Sequence, residues 1–194
     1  MAEQFAKTLC ILLSGKAGVG KTTTAGIIKN YLDEMGYSSY VGHFATGVKE
    51  ISLGMGWDGE KDPKGRKLLQ QVGTVGREYD VDTWCKDLFK RISLSQYYPY
   101  DVVIVDDWRF PNEEKFANNL LEYNTFTVQI VSPEREILKG TPAAEDISET
   151  ALDNQNIVFD ALLYNQGSME DLEEFCHTIA DIFVKLNPKW EEKS

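Results

Sequence analysis

Residues 15–22 spell Gly-Lys-Ala-Gly-Val-Gly-Lys-Thr, a complete G-x-x-x-x-G-K-[ST] loop, and its flanks constrain the fold more than the string does. Ahead of it runs Thr8–Leu13, short and apolar as a buried parallel strand should be. Behind it, Thr23–Met35 predicts a helix stopped by Gly36. Strand, glycine loop and helix N-terminus together form an anion site. Glycines let backbone N–H groups turn inward around phosphates, and the helix dipole favours negative charge there. On this reading Gly15, Lys16, Ala17, Gly18, Val19, Gly20, Lys21, Thr22 and Thr23 cradle the phosphates of ATP. Lys21 reaches the β- and γ-phosphates, and the Thr22 hydroxyl binds Mg²⁺.

The rest of the chain reads as alternating strands and helices, which predicts an α/β fold with a parallel sheet. Strands are expected at Ser39–Phe44, Tyr100–Asp106, Thr125–Val131 and Phe159–Asn165. Helices are expected at Arg66–Val72, Asp82–Ser95, Asn112–Glu122 and Met169–Leu186. The glycine-rich stretch Thr46–Gly65 reads as irregular connection or short helix, and the charged segment Ser132–Asn156 as a lid. The 194 residues suit one domain over 1–194, with an acceptor-binding region at about 45–98 and the lid at about 132–156.

Charge narrows the partners. The net charge of −11 argues against nucleic acid as the main partner, because phosphate backbones demand a basic footprint. A small phosphorylated substrate stays compatible, since a few local cations can hold it. No apolar run approaches the roughly 18 residues of a membrane helix, and no signal peptide is expected. Cys10, Cys85 and Cys176 lie too far apart in sequence to suggest a disulfide framework or zinc site, which points to a reducing, cytoplasmic location.

Two groups of residues carry further chemistry. Asp101-Val-Val-Ile-Val-Asp106-Asp107 has the form of a Walker B strand, whose terminal acid can hold Mg²⁺; Asp106 and Asp107 both remain candidates. Phosphoryl transfer also needs fixed positive charge, for which Arg66, Arg77, Arg109 and Arg135, with Lys16 and Lys49, are available. Arg109 follows the Walker B acids directly, where doubly wound folds put ligand contacts. Lys21, Arg77, Arg109 and Arg135 are therefore the candidates for charge stabilisation in catalysis. His43 and His177 stand isolated and read as structural, and Tyr97–Tyr100 as packing.

Several segments, in order along the chain, resemble the phage-type deoxynucleoside monophosphate kinases of the P-loop kinase superfamily. They are Phe44-Ala45-x-x-Val48-Lys49-Glu50, Arg66-x-Leu68-Leu69-Gln70-x-x-Gly73-Thr74-x-x-Arg77 with Asp82 and Trp84, Asp107-x-Arg109-Phe110-Pro111-Asn112-Glu113, Ser148-Glu149 and Asn165-x-Gly167-Ser168. The resemblance implies a three-layer P-loop fold with about five parallel strands, moving the ATP γ-phosphoryl group to a deoxynucleoside 5′-monophosphate. It further implies that Lys49, Arg66, Gln70, Thr74, Arg77 and Arg109 line the acceptor site, with Trp84 near the base. Arg135 would belong to the lid over ATP, and Asn165, Gly167 and Ser168 would lie near adenine. A viral role in a host cytoplasm would suit the family, and a homodimer is compatible with it. The chain departs from the family in having Asp146 where His is usual, and Trp108 where a small β-branched residue is usual.

Other readings compete. Lys16-Ala-Gly-Val-Gly-Lys-Thr-Thr-Thr also resembles the deviant Walker A loop of partition-type ATPases, in which the early lysine reaches across a dimer. A P-loop kinase of another small acceptor, of the dephospho-coenzyme A or phosphomevalonate type, shares the same spacing. A GTPase is disfavoured because no Asn-Lys-x-Asp motif occurs.

Overall fold

A computed structural model describes residues 8–120, 123–153 and 157–186 of the chain. Five strands form one sheet in the order β2-β3-β1-β4-β5, with every neighbouring pair parallel. They are β1 (Thr8–Ser14), β2 (Ser39–Gly42), β3 (Val102–Val105), β4 (Tyr123–Val131) and β5 (Ala161–Tyr164). β1 is central: Ile11 sits opposite Ile104 of β3 on one side and Phe126 of β4 on the other. The chain runs outward to β2, returns to β3 and then crosses to β4, so the carboxyl ends of β1 and β3 border the crevice where such sheets bind ligands.

Alternation along the strands builds two cores, one on each face. Ile11, Leu13, Val102 and Ile104 point to a cluster covered by α1 (Lys21–Glu34) and α7 (Met169–Leu186), where Ile28, Leu32, Cys176 and Phe183 are buried. Cys10, Leu12, Val103 and Val105 point the other way, to α4 (Thr83–Ser93) and α5 (Pro111–Asn119) through Leu88, Ile92 and Ala117. Ile11, Leu12 and Leu13 are fully buried, each worth about 1.5–3 kcal/mol. The result is a three-layer α/β architecture, helices on both faces of a parallel sheet.

Two helices refine the expectation, the first by settling the Thr46–Gly65 stretch on its short-helix alternative. Thr46–Gly54 is a regular helix, α2, held because Val48 and Ser52 are buried and Gly47 lies against α4. The next helix, α3, spans Pro63–Tyr79 rather than Arg66–Val72. Its start is chemically marked, with Pro63 in the first turn and the Asp62 carboxylate accepting from Gly65 N–H at 2.6 Å. Gly65, Gly73 and Gly76 lower its local propensity, and tertiary contacts override them.

In the lid segment, a 3₁₀ turn at Pro142–Glu145 precedes α6 (Ile147–Thr150). The expected ends of the α5 helix (121–122) and of the lid (154–156) lie outside the described residues. Among the described residues, no helix is long and apolar enough to cross a membrane.

Candidate active site

The phosphate loop leaves β1 at a point where only glycine fits. Gly15 has φ +144°, and a Cβ there would stand 2.3 Å from the Ile130 carbonyl oxygen of β4. Val19 plugs the loop into the core. Its carbonyl accepts from Asn165 Nδ2 at 2.8 Å, which staples the loop to the segment after β5. α1 begins at Lys21, so the amides of its first turn have no intrahelical acceptors and face the cleft end of the helix. Lys21 Nζ donates to Gly15 O (2.6 Å) and Lys16 O (2.9 Å), folded back over the loop. Burial, and then the neighbouring Arg109, push its pKa down to about 8.

The two acids after β3 separate by face. Asp106 continues the side of Val102 and Ile104, toward α1, and its Oδ2 accepts from Thr22 Oγ1 at 2.6 Å. Asp107 continues the opposite side, accepting from Phe44 N–H (2.8 Å) and Ala45 N–H (3.0 Å) just ahead of α2. His43, expected to be an isolated structural residue, instead binds Asp106 Oδ1 through Nδ1. Burial alone would raise the Asp106 carboxyl, but the bonds from His43 and Thr22 hold it below its ordinary value. The same contact raises His43, and burial raises Asp107. His43, Asp106 and Asp107 offer ligand atoms within 4.8 Å of one another. The Thr22 hydroxyl and Asp106 carboxylate are the hard oxygen donors that fit Mg²⁺.

From this point a cavity of about 680 Å³ opens toward α2, α3 and α4. Phe44, Val48, Leu69 and Trp84 give it an apolar side, while Lys21, Lys49, Lys61, Arg66, Arg77 and Arg109 give it a cationic one, and Gln70 also borders it. Its carboxylates all have partners. Asp106 and Asp107 are bonded as above. Glu113 Oε2 accepts the N–H groups of Arg109 (2.8 Å) and Phe110 (3.0 Å), and burial pushes its pKa up to about 8. Glu149 pairs with Arg109. Among the described residues, Lys49, Lys61, Arg66 and Arg77 form no ion pair with a carboxylate.

Several expected residues sit differently from their neighbours. Arg77 stacks over Phe110 at 4.1 Å, and Thr74 is turned to it as an acceptor (3.4 Å) without lining the cavity. Trp84 borders the cavity but is 7% exposed; its indole N–H donates to Gly73 O at 2.9 Å, anchoring α4 to α3. Arg135 lies outside the cavity, with Nη1 donating to Asn165 Oδ1 at 3.2 Å. Asn165 is itself buried, and Ser168 caps α7 through Asp171 (2.8 and 2.9 Å), so Arg135, Asn165 and Gly167 form one cluster at the far side of the phosphate loop. Trp108 is a core residue whose indole N–H donates to Phe110 O at 2.9 Å. His177 stacks on Tyr31 at 4.0 Å, a packing role as expected.

The segment expected to form a lid meets the loop and Arg109 through α6. Arg109 Nη1 donates to Ser148 O at 2.8 Å and pairs with Glu149, whose Oε2 accepts from Ala17 N–H at 3.3 Å. Lys16 pairs with Asp153 and donates to Glu149 O, so this lysine is held within its own chain. Asp146 caps α6 by accepting from Ser148 N–H at 2.9 Å. The sequence reading gave His43 only a structural role, placed Glu113 only within the Asp107–Glu113 segment of the resemblance, and did not name Lys61. The available signals were the position of His43 immediately after a strand's carboxyl end and the position of Glu113 at the start of a helix.

No family model matches the chain. Over 110 residues it is 33% identical to an uncharacterized protein, ORF77, of Ictalurid herpesvirus 1 (strain Auburn), covering 57% of this chain and 46% of that one. Over 81 residues it is 32% identical to the septum site-determining protein MinD of Neisseria meningitidis, covering 42% and 30%. The matched stretches thus span less than half the length of either relative. Among solved structures, the Mycobacterium tuberculosis APS kinase in complex with AMPPNP and APS aligns over 91% of this chain and 97% of its own, at 14% identity and TM-score 0.47. Shikimate kinase from Acinetobacter baumannii, in complex with shikimate, aligns over 94% and 95% at 13% identity and TM-score 0.47.

Proposed function

We propose that this chain transfers the γ-phosphoryl group of ATP to a deoxynucleoside 5′-monophosphate, giving the diphosphate and ADP. The observation that carries the reading is the continuous cavity from the phosphate loop to a wall of Lys49, Lys61, Arg66 and Arg77, cations that form no ion pair with a carboxylate among the described residues. In a chain of net charge −11, that wall is a local exception which suits a phosphate dianion. The apolar side formed by Phe44, Val48, Leu69 and Trp84, with Gln70 beside it, suits a nucleobase.

On this reading the loop amides and Lys21 hold the ATP phosphates. Thr22 and Asp106 would hold Mg²⁺, which when bound offsets phosphate charge. His43 orients the Asp106 carboxylate, and Asp107 fixes the start of α2, hence the position of Lys49. Lys49, Arg66 and Arg77 hold the acceptor phosphate, and Arg109 sits between it and the loop. One acceptor phosphate oxygen forms a bond to the γ-phosphorus as the bond to the bridging β–γ oxygen breaks, and ADP leaves with that electron pair. The nucleophile is already an anion, so no general base is needed. Positioning, fixed charge and exclusion of water by the lid at about 132–156 supply the rate. Arg135 and the Asn165–Ser168 loop would flank adenine.

The likeness to MinD and the Lys16 loop favour a second reading, a regulatory ATPase that dimerises on ATP. The pairing of Lys16 with Asp153 of the same chain opposes it. A coupled ADP-release assay with each deoxynucleoside and ribonucleoside monophosphate separates the two. The kinase reading predicts strong turnover with one or a few deoxynucleotides, and a rise in acceptor KM but not ATP KM for Arg77→Ala. Slow hydrolysis of ATP with no acceptor, accompanied by ATP-dependent dimerisation in light scattering, would replace it with the second.

A further inference from the structure

The connection between α2 and α3 carries a lysine in an unusual position. Lys61 is flanked by Asp58, Glu60 and Asp62, yet it pairs with none of them among the described residues. Two of these acids are committed to the backbone: Asp58 Oδ1 accepts from Glu60 N–H at 3.0 Å and Asp62 Oδ1 from Gly65 N–H at 2.6 Å. Trp57 Nε1 donates to Glu60 O at 2.7 Å, closing the turn over the first turn of α3. The fit there is tight, since a Cβ on Gly65 would stand 2.1 Å from Glu60 O. This built turn directs Lys61 into the cavity wall. Partial burial, and then the neighbouring cations Lys49, Arg66 and Arg109, lower its pKa, against a smaller opposing pull from Asp106.

Cations gathered on one cavity wall repel one another, and an anion bound among them offsets that repulsion. We propose that Lys61 is a further ligand of the acceptor's phosphate, delivered by the α2–α3 turn and acting with Lys49 and Arg66 on a phosphate monoester. This rests on the reading of the cavity as an acceptor site.

The test has two arms. In steady-state kinetics, Lys61→Gln is expected to raise the acceptor KM about tenfold, the loss of one hydrogen bond between charged groups. The ATP KM should be unchanged, and Lys61→Arg should recover most of the loss. An unchanged acceptor KM in Lys61→Gln, where Arg77→Ala raises it, would overturn the proposal and leave the kinase reading standing. In the second arm, the full chain carrying ¹³C-labelled lysine is titrated with inorganic phosphate and followed by NMR, with Lys61→Gln identifying the signal. A saturable shift of the Lys61 signal supports the proposal even if no monophosphate is turned over, in which case only the acceptor's identity fails. A Lys61 signal unmoved by phosphate, while other lysine signals shift, would overturn it.

Discussion

Gly76→Ala tests how the acceptor wall is assembled. Gly76 of α3 faces the Trp84 indole of α4, and an added Cβ would lie 2.3 Å from Cζ2, 2.6 Å from Cε2 and 3.0 Å from Nε1. The ring has little freedom to yield, because its N–H is bonded to Gly73 O and its opposite edge approaches Gly47. Overpacking of this kind costs about 1–3 kcal/mol, and loss of the indole hydrogen bond adds about 1 kcal/mol. Alanine returns roughly 0.5–1 kcal/mol of helix propensity at an interior position. The net expectation is a loss of about 2 kcal/mol, or a Tm lowered by roughly 4–8 °C in a domain of this size. Urea and thermal unfolding read the stability. Because α3 and α4 move apart at the cavity wall, acceptor KM should rise while ATP affinity measured by calorimetry stays within about twofold. Trp84→Leu should make the same glycine substitution nearly neutral, since the clash and the ring go together. A Gly76→Ala protein as stable as the parent, with Trp84 present, would refute the helix contact and with it the wall.

Four further substitutions probe separate parts of the site. Glu113 has a folded pKa of about 8 against an ordinary 4.5, so between these values the folded chain keeps a proton that the unfolded chain has lost. Stability should therefore fall as pH rises from about 4.5 toward 8, by up to about 1.4 kcal/mol per pH unit; denaturant melts should show that slope, Glu113→Gln should flatten it, and an identical slope in the variant would contradict the assignment. Asp106→Asn should abolish most of the Mg²⁺ enhancement of ATP binding in calorimetry, whereas Asp107→Asn should cost about 1–3 kcal/mol of stability through its lost amide bonds, and the reverse pattern would exchange their roles. Glu149→Gln frees Arg109 and the Ala17 N–H for phosphate, so ATP should bind roughly tenfold tighter; weaker binding would mean that Glu149 supports the bound state.

The segments most legible in the sequence were those whose chemistry is contiguous. The phosphate loop, its strand and its helix are one uninterrupted stretch, and the order of strands and helices followed from alternating patterns. α2 and the start of α3 were harder to see, because glycines at 47, 54, 65, 73 and 76 mimic a loop. Contacts with Trp84 and Asp87, which no local pattern reveals, explain two of them. The Asp62-Pro63 pair was the visible signal of the earlier helix start. The choice between Asp106 and Asp107 was also latent: a period of two carried on from Val102 and Ile104 sends Asp106 to the face of α1 and Thr22. His43 and Lys61 were hidden for a different reason. Each is a lone residue whose neighbours, Asp106 in one case and Lys49, Arg66 and Arg109 in the other, arrive only through the tertiary fold.

Direct observation of group transfer tests the central claim. The chain is incubated with γ-labelled ATP, Mg²⁺ and each deoxynucleoside monophosphate in turn, and the labelled products are separated, with Lys21→Ala alongside. The account predicts label in the β-position of a deoxynucleoside diphosphate, at a rate that collapses in Lys21→Ala while the fold is retained. Label appearing only as inorganic phosphate, whichever monophosphate is present, would contradict it.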